Sequence, residues 1–370
     1  MRKLDCATDR FISKPQTEKK QNKTIYSSLL YKTLHGKTAE EDRKQARRIQ
    51  EIKHKNKRRA EISQYPIRIL DGPGLVDDFY VNILEWMPQR DVMAIALGFT
   101  IYLWDELAET SSELFTAPES KISSINFIDE TRILVSHGAQ TEIFNIPEEK
   151  HEKIFSFGTG RVLVSSRPGI IDEVPHFVLG TENGYLHFQD RRTAEPTLSL
   201  HAHDSEICAA KWAPHGTYLA TGSNDKTAKI WDLRMGRFPT VSFADHAAAV
   251  RALDWCPARR NTIATGGGLH DKKIIVWSTV EGAVYEKTQA DTQVAKLQWV
   301  PHRPTEFVTT HGGETSQTSH PVVLWKTNDL AEIARLGDHD RRVLQMGISP
   351  RLNVLSTASP NGTIKFWKIV

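Results

Sequence analysis

Two carboxylate–imidazole pairs are the first residues whose types and spacing suggest chemistry. Asp225 stands six residues before Trp231 and Asp271 six before Trp277, with His203 and His246 upstream of them. An Asp oriented on an imidazole can tune a general base, or it can be one link of a buried polar network. The partners that such a base would serve do not emerge. There is no G-x-x-x-x-G-K-[ST] loop, no G-x-S-x-G elbow and no H-E-x-x-H pair. Gly266-Gly267-Gly268 looks like a phosphate loop at first, but it falls at a strand-to-turn step and opens no helix. The three cysteines, Cys6, Cys208 and Cys256, form no C-x-x-C pair, so neither a zinc site nor a disulfide framework is indicated. A reducing compartment is the simplest setting, with Cys208 and Cys256 as inert core thiols in apolar strand patterns. The expectation is a protein that is not an enzyme and needs no metal or cofactor. The His and Asp residues then serve structure.

The elements that position these residues recur. A short strand ending in an aromatic appears seven times, at Trp104, Phe144, Phe188, Trp231, Trp277, Trp325 and Trp367. The spacings are 40, 44, 43, 46, 48 and 42 residues, the period of WD repeats with four strands per blade. The best-formed repeat runs from His203 through strands at 207–212 and 218–223, a turn at Asn224-Asp225-Lys226, and a third strand at Lys229-Ile230-Trp231-Asp232. His246 and His339 hold the position of His203 in the fifth and seventh repeats. The fold class is all-β, a seven-bladed WD-repeat β-propeller over residues 66–370. A ring removes sheet edges only if it closes. The chain stops at Val370, just after the third strand of the last blade, so Ile67-Arg68-Ile69-Leu70 is expected to supply the missing outer strand. The first inner strand is expected over Tyr80 to Trp86.

Residues 1–65 differ in texture. They are polar, with a basic run from Arg43 to Arg59. Such a segment cannot bury enough apolar area to offset its ordering entropy, so a disordered N-terminal arm is expected. Two apolar islands, Asp9-Arg10-Phe11-Ile12 and 25–31, suit segments that fold onto a partner. Lys53 to Arg59 reads either as a nuclear import signal or as a solvated linker. The net charge of +3 is too small to argue for nucleic-acid binding by the whole chain. No apolar run approaches the roughly 18 residues that span a membrane, and residues 1–10 lack the apolar stretch of a secretory signal. The expectation is a soluble intracellular monomer, in nucleus and cytoplasm, whose partners are proteins rather than nucleic acid or membrane.

Three stretches carry a family resemblance. Residues 68–86, R-I-L-D-G-P-G-L-V-D-D-F-Y-V-N-I-L-E-W, resemble the segment that leads into the propeller of the Fizzy family, the WD-repeat activators of the anaphase-promoting complex. Val250 to Pro257 with Ile263 to Gly268 is similar to that family's fifth blade. Asp9-Arg10-Phe11-Ile12 resembles the start of its C-box, and Ser27 to Gly36 a segment of its Fizzy-related branch. The resemblance implies that the arm docks on subunits of the anaphase-promoting complex through Asp9, Arg10, Phe11 and Ile12. It implies that the propeller captures degrons of mitotic or meiotic regulators such as cyclins. The positions matching the family's Lys-Glu-Asn degron pocket are Asn224, Thr265, Gln293 and Arg342.

The departures imply a divergent member. Ser13 and Pro15 stand where the C-box continues with Pro and a final Arg. The family's Ile-Arg tail is replaced by Ile369-Val370, so a second ligase anchor is expected to be missing. Gly98 and Gly362 occupy the places of the acidic residues in the family's destruction-box groove, so weak or altered destruction-box binding is expected. No Ser-Pro or Thr-Pro occurs in residues 1–65, which argues against proline-directed phosphorylation of the arm. Two alternatives stay open. Trp231-Asp232-Leu233-Arg234 resembles the WD-x-R box of substrate receptors for cullin-based ligases, and the chain could be a scaffold with no role in ubiquitin transfer.

Overall fold

In a computed structural model the described residues are Lys44, 62–158, 160–167, 176–232, 234, 237–312 and 320–369. The chain divides into units 1–60 and 61–370. In the second unit, 28 strands form seven four-stranded antiparallel sheets among the described residues. Blades 1 to 6 hold 84–116, 122–156, 162–201, 207–243, 250–289 and 294–339, each a meander in chain order.

Blade 7 closes the ring as expected. Its strands β26 (Gln345–Ile348), β27 (Val354–Ser359) and β28 (Thr363–Lys368) are completed by β1 (Arg68–Asp71), which pairs antiparallel with β28 from Arg68↔Phe366 to Asp71↔Thr363. Packed contacts begin upstream of Pro66. Ile62 is buried in a cluster with Val300, Leu355, Trp367 and Ile369, and Gln64 O accepts a hydrogen bond of 2.8 Å from Gly337 N.

The innermost strands are β2 (Leu84–Trp86), β6 (Ile122–Phe127), β10 (Val162–Ser166), β14 (Ile207–Trp212), β18 (Val250–Trp255), β22 (Val294–Val300) and β26. Each packs against its two neighbours, and β26 packs against β2. The core lies between blades. The third-strand aromatics Trp231, Trp277, Trp325 and Trp367 are buried there, each removing apolar area worth about 2–3 kcal/mol.

The His and Asp residues are structural, as the repeat implies. In blade 4, Trp231 Nε1 donates to Thr221 Oγ1 (2.9 Å), Thr221 Oγ1 meets His203 Nε2 (2.8 Å), and His203 Nδ1 meets Asp225 Oδ2 (2.8 Å). A neutral His203 protonated on Nδ1 satisfies all three contacts. Blade 5 repeats the chain through Trp277, Thr265, His246 and Asp271. In blade 7, His339 still meets Thr357, which accepts from Trp367, but Thr363 Oγ1 (3.3 Å) replaces the carboxylate. Gly184 fits the same framework: it has φ +78°, and a Cβ there would lie 2.0 Å from His203 O.

One expectation is corrected. The first inner strand covers Leu84–Trp86, not Tyr80 to Trp86. Residues 81–82 cross the channel instead, and their polar groups bond to other blades, whereas Ile83 O already joins blade 1 by accepting from Ala96 N (2.9 Å). Asn82 N donates to Ser123 O of blade 2 (2.8 Å). Asn82 Nδ2 donates to Leu163 O of blade 3 (3.0 Å) and Cys208 O of blade 4 (3.3 Å). Lys296 of blade 6 donates to Asn82 Oδ1. Val81 O accepts from Arg251 Nη2 of blade 5 (2.6 Å) and from Gln345 Nε2 of blade 7 (2.9 Å). Residues 81–82 thus touch every other blade and plug one end of the channel.

Candidate functional site

In each meander the turns between second and third strands lie on one face, together with the links from one blade to the next. The turns between first and second strands lie on the other. The segment 72–80, which links β1 to blade 1, therefore runs over the first face. Asp77 and Asp78 spread their carboxylates across it. Arg342, in the link to blade 7, donates from Nε to Asp77 Oδ1 (2.7 Å). Arg161, in the link to blade 3, donates from Nη2 to Asp78 Oδ2 (3.0 Å), and Glu182 Oε1 accepts from Arg161 N. Asp78 Oδ1 also caps Tyr80 N (2.8 Å). Phe79 meets Tyr80 edge-on, with the Arg251 guanidinium 5.0 Å from its ring centre.

The same face holds three of the four residues matched to a degron pocket. Asn224, in the second turn of blade 4, donates from Nδ2 to Glu206 Oε2 (2.9 Å). Burial works to raise the Glu206 carboxyl, but bonds from Ser205 and Asn224 outweigh it and hold the group below the usual range. Gln293 opens blade 6 and is 7% exposed. Its carbonyl accepts from Gly312 N (3.3 Å), and a Cβ on Gly312 would lie 2.2 Å from Arg342 Cβ. Gln293 and Arg342 thus flank Gly312.

Thr265 does not join them, which corrects the sequence assignment. It lies within the second strand of blade 5, at 0% exposure, and its hydroxyl is taken up by His246 and Trp277. It is a link of the buried network and offers nothing to a peptide. Sequence reading missed Asp77, Asp78, Arg161 and Glu206. The adjacent Asp77-Asp78 between Gly72-Pro73-Gly74 and the first inner strand was the available signal.

Gly98 and Gly362 occupy the second turns of blades 1 and 7, with φ +69° and +87°. Both face the linking segment: Gly74 O would lie 3.7 Å from a Cβ on Gly98, and Gly72 O 3.5 Å from one on Gly362. The cleft between blades 7 and 1 therefore has no carboxylate at either place. Asp9, Arg10, Phe11 and Ile12, like the basic run 43–59 apart from Lys44, lie outside the described residues. Among the described residues, no cluster of His, Cys, Asp and Glu has the makings of a metal site. No helix is long and apolar enough to cross a membrane.

The CDC20/Fizzy WD40 domain matches residues 70–367. The chain belongs to the CDC20/Fizzy family. It is 33% identical over 307 residues to the WD repeat-containing protein slp1 of Schizosaccharomyces pombe, covering 82% of this chain and 61% of that protein. It is 32% identical over 317 residues to the anaphase-promoting complex subunit cdc20 of Dictyostelium discoideum, covering 84% and 61%. Among solved structures, a chain of the Mitotic Checkpoint Complex superposes with a TM-score of 0.76 at 32% identity, covering 83% of this chain and 92% of that one. The chain thus spans about three fifths of the length of these two relatives. The family match runs from Leu70 to Trp367, so it takes in the linking segment, blades 1 to 6 and all but three terminal residues of blade 7's strands.

The WD-x-R stretch has a local explanation. Arg234 donates to Asp232 from Nε (2.9 Å) and Nη2 (2.7 Å). Blade 3 repeats this clamp, with Arg192 Nη2 on Asp190 Oδ2 at 2.7 Å. A geometry that occurs twice in one ring reads as a turn clamp rather than as a dedicated docking box.

Proposed function

We propose that this chain is a substrate-recruiting activator of the anaphase-promoting complex, acting as a monomer in nucleus and cytoplasm to control mitotic or meiotic progression. The observation that carries the reading is the family match across residues 70–367. The relatives' names support it: one is a subunit of that complex, and an Arabidopsis thaliana relative is a cofactor of it. Asp9, Arg10, Phe11 and Ile12 dock the arm on the ligase. The propeller holds degron-bearing proteins such as cyclins, which raises their local concentration at the ligase.

On the linking face, Arg342, Gln293 and Asn224 receive a Lys-Glu-Asn degron. Arg342 pairs the peptide Glu, Gln293 and Asn224 bond its Asn, and Asp77 or Asp78 takes its Lys. Asn224, Arg342, Asp77 and Asp78 already have internal partners, so there the peptide exchanges bonds rather than desolvating bare charges. The destruction-box cleft is weakened, because Gly98 and Gly362 cannot pair the degron's Arg.

A paired peptide titration tests these assignments. A Lys-Glu-Asn peptide is expected to bind, and Arg342→Ala to weaken it by about tenfold to a hundredfold, the loss of a charge-assisted bond worth roughly 1.5–3 kcal/mol. A destruction-box peptide is expected to bind equally with Arg or Ala at its Arg position. Tight, Arg-dependent destruction-box binding would refute the weakened cleft. Unchanged Lys-Glu-Asn affinity in Arg342→Ala would refute the pocket.

A further inference from the structure

The channel below the plug is a cavity of about 370 Å³. The plug at 81–82 closes one end. Pro88, Pro214, Pro301 and Pro350, at turns between first and second strands, line it at the opposite face. It therefore opens away from the linking face. Its charged lining is Glu85, Arg167, Lys211, Arg251 and Lys296. Arg251 is committed to three backbone carbonyls, and Arg167 Nε donates to Phe127 O.

The two lysines are less fully satisfied. Among the described residues Lys296 Nζ has one acceptor, Asn82 Oδ1. Lys211 Nζ meets Asp254 Oδ1 at 4.0 Å, with Glu85 acting on it at longer range. An ammonium carries three donors, so both face the cavity with donors to spare. Counting Asp254, four cations meet two carboxylates, an excess of two positive charges. The Lys211 side chain is 45% exposed, and although burial works to lower its ammonium, Asp254 and Glu85 outweigh that and raise it. The remaining excess is relieved when a counter-charge enters or a lysine loses its proton. Burial first, and then repulsion from Arg251 and Lys211, push the Lys296 ammonium well below its ordinary range, which an entering anion would reverse.

We propose that this channel is a binding site for a small multiply charged anion of the phosphate type, held by Lys211 and Lys296 and entering from the face opposite the linking segment. Point-charge ammonium groups suit phosphate oxygens, and the volume admits a short linear polyphosphate. Such a ligand would tie blades 4 and 6 together through the hollow of the ring, away from the peptide face.

The test uses the full chain and inorganic tripolyphosphate, with sodium chloride at matched ionic strength as control. Thermal unfolding is expected to rise by about 3–6 °C at saturating tripolyphosphate. Calorimetry is expected to show binding weakened about tenfold or more by Lys211→Met and by Lys296→Met. Lys296 also holds Asn82, so Lys211→Met supplies the variant that leaves the plug intact. No shift beyond the chloride control would overturn the proposal. So would a shift that survives Lys211→Met undiminished, which would place the anion elsewhere, on the basic run 43–59 for example.

Discussion

Replacing Arg251 by Leu is expected to cost the propeller about 3–5 kcal/mol. Arg251 is 1% exposed and donates to Ala295 O (2.8 Å), Leu344 O (2.8 Å) and Val81 O (2.6 Å), on blade 6, in the link to blade 7 and in the plug. A buried charge is often no better than a well-packed apolar residue, because desolvation offsets its pairing. Here the partners decide the sign. Leu would strand Ala295 O and Leu344 O and leave Val81 O to Gln345 Nε2 alone. Each orphaned acceptor costs about 1–3 kcal/mol, and the lost packing of a large buried side chain adds to it. One guanidinium nitrogen, Nε, already lacks a partner, which keeps the net figure near the lower end of the sum. A fall in Tm of roughly 5–15 °C is expected, with Arg251→Lys intermediate because one ammonium cannot span three carbonyls. An unchanged midpoint in Arg251→Leu would mean that the plug does not hold the ring.

Acid is expected to destabilise the fold in two separate windows. His187 and His311 are buried, and burial pushes both down to about 4. Their unfolded value lies near 6.5. Below that pH the unfolded chain binds protons that the folded chain refuses, so stability falls as pH drops from about 6.5 to about 4, by up to about 3 kcal/mol for each histidine. The stability contributed by the buried-network carboxylate Asp271 is lost in the same direction but in a lower window. Burial works to raise it, but bonds from His246, Ala247 N and Lys273 hold it down to about 2. Its contribution is present above the ordinary carboxylate range and is lost only as pH falls from about 4 towards 2. Urea unfolding at pH 7.0 and 4.5 stays above the Asp271 window and reads the buried histidines, His203 among them, together with part of the shift of Glu142 and Glu206. A lower midpoint at pH 4.5 is expected, and a smaller difference in the His187→Asn, His311→Asn double variant. Equal midpoints in the parent protein would contradict the assignment.

The repeat was legible because each blade must bury an aromatic against its neighbour. That need writes Trp231, Trp277, Trp325 and Trp367 into the sequence at near-constant spacing. The closing strand was legible because a sheet edge has to be covered. The plug was not legible. Tyr80 to Ile83 carry a strand-like apolar pattern, and only the ring places Asn82 within reach of blades 2, 3, 4 and 6. Thr265 shows the same limit at the candidate site. Alignment by residue type matched a hydroxyl, but within a strand a shift of a few residues separates a buried link from a surface turn. Asn224, Gln293 and Arg342 were easier, because they fall in turns and links, which the meander places on one face.

Affinity purification of the intact chain from dividing cells, with partners identified by mass spectrometry, bears most directly on the proposed role. Recovery of anaphase-promoting complex subunits is expected, with loss of that recovery in an Asp9→Ala, Arg10→Ala variant that still binds the Lys-Glu-Asn peptide. Recovery of a cullin and its adaptor instead, or of stable partners without any ubiquitin-transfer machinery, would contradict it.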